Sequence, residues 1–243
     1  MELTESSSQF DKKQLLFHHP FTMIISGSTG SGKSEWLLNL LRNLKSMIGS
    51  DDDNGKTNSQ SQINLILYCY GELNPNILKM QRQGKIGEIA ILTHSGLPKE
   101  DILRTYAKQT NGKLMVVLDD LMIGISSNQE FLDSLFIKGS HNLGITAVLV
   151  TQHLFTKELK VARNNAHYLV LMRNPAGALQ IRNLAVQLFP SKTPYFMESY
   201  ADATNKNFGY LLIDMHPSTV DTLRLRTNIY PNDELPTTIY LPK

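Results

Sequence analysis

Continuous apolar runs recur along residues 21–172 and are separated by longer stretches in which apolar and polar residues mix. Continuous runs, rather than strictly alternating ones, are typical of parallel strands that are covered on both faces. Five runs predict strands: residues 21–26, 64–70, 114–120, 145–152 and 167–172. Because helical stretches lie between them, the pattern predicts a three-layer α/β domain with a mostly parallel central sheet and right-handed crossovers.

Apolar residues spaced three and four apart predict helices between these strands. The apolar face of the first helix is formed by Leu37, Leu40, Leu41, Leu44 and Ile48. Residues 100–109 and 128–139 predict shorter helices, and Gly139 is expected to end the second of them.

Three segments depart from this alternation of predicted strands and helices. Residues 1–20 predict a flexible leader that ends in a docking segment, and residues 21–243 form the predicted domain. Residues 49–62 are polar and rich in Gly, Ser and Asn, which predicts a mobile surface loop. Within residues 190–243, apolar stretches punctuated by Pro and Asn predict a strand-rich C-terminal extension.

Charge and composition add little to this picture. The 243 residues include 24 Lys and Arg and 22 Asp and Glu, and a formal charge of +2 neither requires nor excludes nucleic acid. The single cysteine, Cys69, lies in an apolar run, which predicts a buried, inert thiol in a reducing compartment. No signal-peptide core is present, and no run approaches the roughly 20 apolar residues that a membrane span needs. The sequence therefore predicts a soluble, intracellular protein without a membrane partner.

Candidate chemistry begins in a segment between the first strand and the first helix, which matches the pattern G-x-x-x-x-G-K-[ST]. Its members are Gly27, Ser28, Thr29, Gly30, Ser31, Gly32, Lys33 and Ser34. Small residues let successive backbone N–H groups converge on phosphate oxygens, at the positive N-terminal end of the following helix. We expect Lys33 to reach the β- and γ-phosphates of ATP and the Ser34 hydroxyl to bind Mg²⁺. A plain turn between strand and helix is the alternative.

Polar residues also follow two later strands, where ligands gather in parallel sheets. Asp119 is expected to hold Mg²⁺ through water, and Asp120 to orient or deprotonate the attacking water. The two acids alone could form a solvated turn, but beside a phosphate loop they favour hydrolysis over phosphate transfer to a bound acceptor. Gln152 could hydrogen-bond the γ-phosphate and the attacking water, or it could be a simple strand-end cap.

Several segments together resemble a known family: "GSTGSGKS", "CYGE", "VVLDDLM", "LFIKGSHNLGITAVLVTQHLF", "NAHYLVLMRNP" and "FGYLLIDM". In this order and spacing, over about residues 20–228, they resemble the genome-packaging ATPases of the FtsK/HerA superfamily, and within it the poxvirus-like branch of Polinton/Maverick elements and adintoviruses.

The resemblance implies a ring-forming, homo-oligomeric ATPase that threads double-stranded DNA into a preformed capsid, with a capsid vertex or portal protein as partner. It also implies an additional-strand, catalytic-acid P-loop NTPase sheet, in which the Asp119 strand lies between the phosphate-loop strand and others. By position, Lys33, Ser34, Asp119, Asp120 and Gln152 match the family's catalytic residues.

One departure concerns the arginine that such enzymes use in trans. Many relatives carry Arg-Asp after Asn-Pro, whereas this chain has Asn174-Pro175-Ala176-Gly177. An arginine finger neutralises charge on the transferring phosphoryl group. The candidates are Arg163, Arg173 and Arg182, and the alternative for each is a surface contact or ion pair.

Basic residues near the fourth predicted strand are candidates for DNA contact, because a motor that accepts any sequence needs backbone rather than base contacts. They are Lys138 and His141 in a predicted loop at residues 136–144, and Lys157 and Lys160 in the segment 156–165. A solvated basic face is the alternative, and Arg224–Arg226 could serve instead. Glu72, which follows the second predicted strand, is a further candidate for a nucleotide-sensing switch.

Two other functions remain open. One is a nucleic-acid-stimulated P-loop NTPase in DNA repair or transfer without a capsid. The other is an ATP-binding assembly switch with low turnover. A small-molecule kinase is disfavoured by the second acid, Asp120, and because the sequence shows no recognisable pocket for a phosphate acceptor.

Overall fold

A computed structural model describes residues 15–51, 57–58 and 63–242 of the chain. Within these residues, thirteen strands are present: β1 Phe17–His18, β2 Thr22–Ser26, β3 Ile48–Asp51, β4 Thr57–Asn58, β5 Leu65–Tyr70, β6 Lys85–Ile86, β7 Ile89–Ser95, β8 Leu114–Asp119, β9 Thr146–Thr151, β10 Tyr168–Met172, β11 Tyr210–Asp214, β12 Leu225–Thr227 and β13 Thr238–Ile239. The same part of the chain has ten α-helices: α1 Lys33–Arg42, α2 Leu44–Met47, α3 Pro75–Gln83, α4 Glu100–Gln109, α5 Met122–Ser127, α6 Gln129–Ser134, α7 Ser140–Leu143, α8 Lys160–Asn164, α9 Ala178–Leu188 and α10 Thr193–Ala203.

Ten of these strands form one central sheet in the order β13-β12-β11-β10-β2-β9-β8-β5-β7-β6. The six strands from β10 to β7 run parallel to one another. Strands β11, β12, β13 and β6 join the sheet antiparallel. Strand β9 lies between β2 and β8, so the strand that ends at Asp119 is one position removed from the strand that leads into the phosphate loop.

Both faces of the sheet are buried, and the side chains of each strand alternate between them. In β8, Val116 and Leu118 pack into one apolar cluster together with residues of α4, α9 and α10. Met115 and Val117 pack into the other cluster, which contains the buried face of α1 and α3. The fold is therefore the predicted three-layer α/β sandwich with a mostly parallel sheet. Cys69 is buried within it, and burial raises the pKa of its thiol to about 12.

All five predicted strands are confirmed, with ends that differ by one residue at most. Strand β7 was not predicted, because its residues alternate between buried and exposed positions near the sheet edge and form no continuous apolar run. Strand β12 escaped prediction as well, since its sequence Leu-Arg-Thr is short and polar.

The helix prediction for residues 128–139 is wrong at its C-terminal end. Gly139 adopts helical angles, with φ −60° and ψ −47°. The chain passes from α6 through a π-helical turn, Leu135–Gly139, into α7 and stops at Gly144, whose φ is 64°. The predicted loop at 136–144 is consequently helical. Similarly, Ile48 begins β3 instead of extending the first helical stretch.

Outside the main sheet, β1 pairs with β3, and β3 pairs with β4. Phe17 of β1 is fully buried and packs against Phe21 and Tyr168. Most of the predicted leader, residues 1–14, lies outside the described residues, and so do residues 52–56 and 59–62 of the predicted surface loop.

Candidate nucleotide site at the carboxyl edge of the sheet

The segment between β2 and α1 forms a compact loop at the edge where the six parallel strands end, which we call the carboxyl edge. Gly30 and Gly32 have φ values of 74° and 99°, a region in which side chains other than glycine are strained. A Cβ atom on Gly27 would lie 2.6 Å from Ser31 Oγ and 2.7 Å from Met172 Cβ. The glycines are therefore needed for the backbone path itself.

Lys33, the first residue of α1, turns back over this loop. Its Nζ donates hydrogen bonds to the carbonyl oxygens of Gly27 and Ser28, at 2.9 and 2.8 Å. Burial lowers the pKa of Lys33, while the negative charges of Asp119 and Asp120 act in the opposite direction. The ammonium group thus lies in the loop and within the electrostatic field of both acids.

Asp119 is the last residue of β8 and is 9% exposed. Its Oδ2 accepts a hydrogen bond of 2.6 Å from the Tyr68 hydroxyl of the neighbouring strand β5. Burial raises the pKa of the Asp119 carboxyl, and the Tyr68 hydrogen bond and the Lys33 charge oppose that rise. Sequence reasoning missed Tyr68, because its contact with Asp119, 51 residues later, arises only from the pairing of β5 with β8.

Asp120 follows in the left-handed region, with φ 55°, and its side chain is exposed. The adjacent strand approaches it closely, since a Cβ atom on Gly71 would lie 2.0 Å from the Asp120 carbonyl oxygen. Only glycine fits at position 71. Glu72 comes next and is exposed at the same edge.

The end of β9 is connected to the phosphate loop by side chains. Thr29 Oγ1 donates a hydrogen bond of 2.9 Å to Gln152 Oε1. The structure therefore brings Gln152, Lys33 and Asp119 together at the carboxyl edge, as the sequence led us to expect.

The oxygen groups at this edge suit Mg²⁺. The Ser34 hydroxyl and the Asp119 carboxylate are hard ligands of the type that Mg²⁺ prefers, together with water and substrate phosphates. A nearby cation would offset the cost of keeping the buried Asp119 carboxylate ionised. Among the described residues, no group of three or more His, Cys, Asp or Glu side chains could hold a metal ion.

The three candidate arginines differ in their surroundings. Arg163 is half-buried: its Nη1 donates to the Leu154 carbonyl at 2.9 Å, and its guanidinium lies 4.7 Å from the centre of the Phe155 ring. Arg173 has an exposed side chain. Its backbone lies next to the phosphate loop, because its carbonyl accepts hydrogen bonds from the Ser28 amide and hydroxyl. Arg182 is exposed on α9.

The candidate DNA contacts are all exposed: Lys138, His141, Lys157 and Lys160. Helix α8, which begins at Lys160, packs against the π-helical turn that carries Lys138. In the alternative basic cluster at Arg224–Arg226, Arg226 is excluded as a DNA contact, because it is fully buried and ion-paired with Asp214, while Arg224 is partly exposed and ion-paired with Asp221. A separate cleft of about 780 Å³ lies between α4 and the segment 128–145, away from the phosphate loop.

The strand order and the phosphate loop define a P-loop NTPase fold of the additional-strand type. Residues 7–48 match the family described as Poxvirus A32 protein. This match contains β2, the whole phosphate loop and α1, and it spans less than half of the chain. Over these residues it confirms the poxvirus-like resemblance predicted from the sequence.

Solved structures with a similar chain path are distant in sequence. A KaiC-like protein of Pyrococcus horikoshii is 16% identical with a TM-score of 0.46, and the match covers 92% of this chain and 91% of that one. The cytoplasmic domain of EssC is 17% identical with a TM-score of 0.44, over 92% of this chain and 40% of that one. The cytoplasmic domain of the type VII secretion ATPase EccC of Thermomonospora curvata is 13% identical with a TM-score of 0.48, over 90% and 25% of the two chains.

No curated protein matches the chain by sequence. None of the helices in the described part of the chain is long and apolar enough to span a membrane.

Proposed function

We propose that this protein is an ATP-hydrolysing motor that translocates double-stranded DNA into a viral capsid. The observation that carries the proposal is the match of the phosphate-loop segment to the poxvirus A32 family, in a chain whose Lys33, Asp119 and Gln152 meet at one edge. The motor requires a homo-oligomeric ring and a capsid vertex or portal protein as partners.

Each residue at the carboxyl edge has a role in this proposal. Lys33 exchanges its bonds to the loop carbonyls for the β- and γ-phosphates of ATP. Ser34 and Asp119 would hold Mg²⁺, which would supply positive charge opposite the phosphates. Asp120, exposed beside them, accepts a proton from the attacking water or orients it. Gln152 senses the γ-phosphate, and its hydrogen bond to Thr29 transmits movement of the loop to the end of β9.

ATPase activity measured with and without linear double-stranded DNA tests the central claim. We expect DNA-stimulated hydrolysis that is lost in Lys33→Ala and in Asp120→Asn. Lys108→Ala and Asp101→Asn are matched controls, since both residues are exposed on α4. Normal turnover in both site variants would refute the catalytic assignment, and turnover without DNA stimulation would favour an assembly switch.

The arginine finger is tested by replacing Arg163, Arg173 and Arg182 with Ala one at a time. Loss of hydrolysis with retained nucleotide binding is expected for one of them, with a loss of about 10³-fold or more. For a residue that acts in trans, mixing the inactive variant with Asp120→Asn subunits restores part of the activity, because mixed rings contain sites with both groups. Equal activity of the three variants would contradict the proposal.

DNA contact is tested by the triple variant Lys138→Ala, Lys157→Ala and Lys160→Ala. We expect DNA stimulation to fall and its salt dependence to become shallower, since fewer phosphate charges are neutralised. The triple variant of Lys79, Lys85 and Lys108 removes the same charge from exposed positions elsewhere. Equal DNA stimulation in the two triple variants would contradict this assignment.

Binding to capsids distinguishes a packaging motor from a repair or transfer enzyme. A packaging motor binds preformed capsids at one vertex, whereas the alternative enzyme binds DNA alone. Electron microscopy of capsids mixed with the protein provides the measurement.

A further inference from the structure

An exposed aromatic side chain lies directly against the phosphate loop. Phe208 is 69% exposed, yet its ring is so close to Gly32 that a Cβ atom there would lie 2.9 Å from Phe208 Cδ1. None of the roles assigned above uses this residue. Single exposed apolar residues are common on protein surfaces, but Phe208 lies where a ligand of the phosphate loop would bind, so its ring is available for contact with that ligand.

The backbone around Phe208 holds the ring in place at a conformational cost. Its φ is 62°, a region that bulky side chains rarely adopt. On its C-terminal side, the Gly209 amide donates to the Lys206 carbonyl at 3.1 Å. A Cβ atom on Gly209 would lie 2.4 Å from the Ala203 carbonyl oxygen, so this loop is packed tightly onto the end of α10.

Aromatic contacts also fix this loop relative to α1. Tyr210, two residues beyond Phe208, packs edge-to-face with Trp36, at 5.6 Å between ring centres. The Tyr230 hydroxyl donates a hydrogen bond of 2.7 Å to the Trp36 carbonyl. Trp36 lies in the first turn of α1, so these contacts set the position of Phe208 over the helix that follows the phosphate loop.

The order of the strands gives the site a direction. Asp119, at the end of β8, lies on one side of β2, and Phe208, just before β11, lies on the other. In the proposed function, the γ-phosphate points towards Asp119 and Asp120. The nucleoside end of the same molecule therefore extends from the loop towards Phe208.

We infer that Phe208 is the platform on which the base of the bound nucleotide stacks, an inference that rests on the proposed nucleotide-binding function. A phenyl ring contacts any base through its π-face but carries no group that reads the base edge. Phe208 therefore favours purine over pyrimidine nucleoside triphosphates by contact area, and it discriminates little between adenine and guanine.

Comparing two probes separates the base from the phosphates. We propose calorimetric titration, in the presence of Mg²⁺, with a non-hydrolysable ATP analogue and with inorganic tripolyphosphate. Phe208→Ala and Phe208→Leu are expected to weaken binding of the analogue by about fivefold or more, given the usual strength of base–aromatic stacking. Binding of tripolyphosphate is expected to stay unchanged, and Phe208→Tyr is expected to keep the affinity for both probes.

Val220→Ala is the matched control, because it shortens another exposed apolar side chain, 53% exposed, in a turn before β12. Unchanged affinity of Phe208→Ala for the analogue would overturn the inference. Equal weakening of both probes would also overturn it, since Phe208 would then act on the loop through Gly32. If the unsubstituted protein bound neither probe, the proposed function itself would fail, and the stacking role would fail with it.

Discussion

The hydrogen bond from Tyr68 to Asp119 makes Tyr68→Phe an informative substitution. The change removes one hydroxyl from a buried position and leaves the ring in place. In the folded protein, this hydroxyl donates over 2.6 Å to the ionised carboxylate. Since burial already raises the pKa of Asp119 and the Tyr68 bond opposes that rise, its loss raises the pKa further.

The size of the effect follows from the strength of such a bond. A hydrogen bond to a charged group contributes about 1.5–3 kcal/mol, which corresponds to about tenfold to about a hundredfold in the protonation equilibrium of Asp119. For any activity that needs ionised Asp119, the acid limb of the pH profile, where activity falls as Asp119 becomes protonated, therefore moves to higher pH by about one pH unit or more. Above that limb the carboxylate is ionised in both proteins, and the plateau values stay similar.

The measurement is the pH profile of Mg²⁺-dependent nucleotide binding and of ATP hydrolysis. Tyr70→Phe serves as the matched control, because Tyr70 lies on the same strand and its hydroxyl accepts a hydrogen bond from the exposed Gln81, not from a group at the site. An unshifted acid limb in Tyr68→Phe would refute the reasoning. A uniform loss at every pH would refute it as well, since that result indicates distortion of the site.

Three further predictions follow from groups near the site and the N-terminal segment. Asp119→Asn is expected to raise the free energy of unfolding at pH 8, because the folded state disfavours the ionised carboxyl. This gain in stability shrinks as the pH falls through the raised pKa of Asp119. Urea denaturation measures it, with Asp101→Asn as the control. Burial lowers the pKa of His19 to about 4, so below about pH 6.5 the unfolded chain binds a proton that the folded chain does not. Relative to His19→Gln, the protein is therefore expected to lose about 2 kcal/mol of stability between pH 7.5 and pH 5. A difference in unfolding free energy that does not change with pH would contradict this. Gly71→Ala is expected to displace Asp120 and reduce ATP hydrolysis to the level of Asp120→Asn while nucleotide binding persists, and normal turnover would contradict it.

Patterns that depend on local chemistry made much of the fold predictable. The central strands are continuous apolar runs because both of their faces are covered. The phosphate loop is recognisable from the sequence because its glycines are needed for its backbone conformation. Strand β7 lacks that pattern, since near the sheet edge it exposes alternate side chains. The run through Gly139 also escaped prediction: glycine ends helices often, but here it is buried against Leu135 in a helix that continues.

Parts of the candidate site depend on contacts between distant segments, which a single sequence does not reveal. Tyr68 precedes Asp119 by 51 residues and meets it only because β5 and β8 are neighbours. Phe208 lies against Gly32 although most of the chain separates the two residues in sequence. The loop that carries Phe208 has the composition of an ordinary surface turn. Arg226 illustrates the reverse error, because a basic residue in a polar context proved to be buried beside Asp214.

The two outer strands of the main sheet limit how copies of the protein can associate. Strand β6 at one margin and β13 at the other each have only two residues, Lys85–Ile86 and Thr238–Ile239. Strand β13 is therefore a poor template for an incoming strand, whereas β7 extends beyond its pairing with β6 over Ile91–Ser95. At the β13 margin, subunits of an assembly would therefore meet through helices and loops, so nucleotide sites joined there could move relative to one another without breaking a continuous hydrogen-bonded sheet.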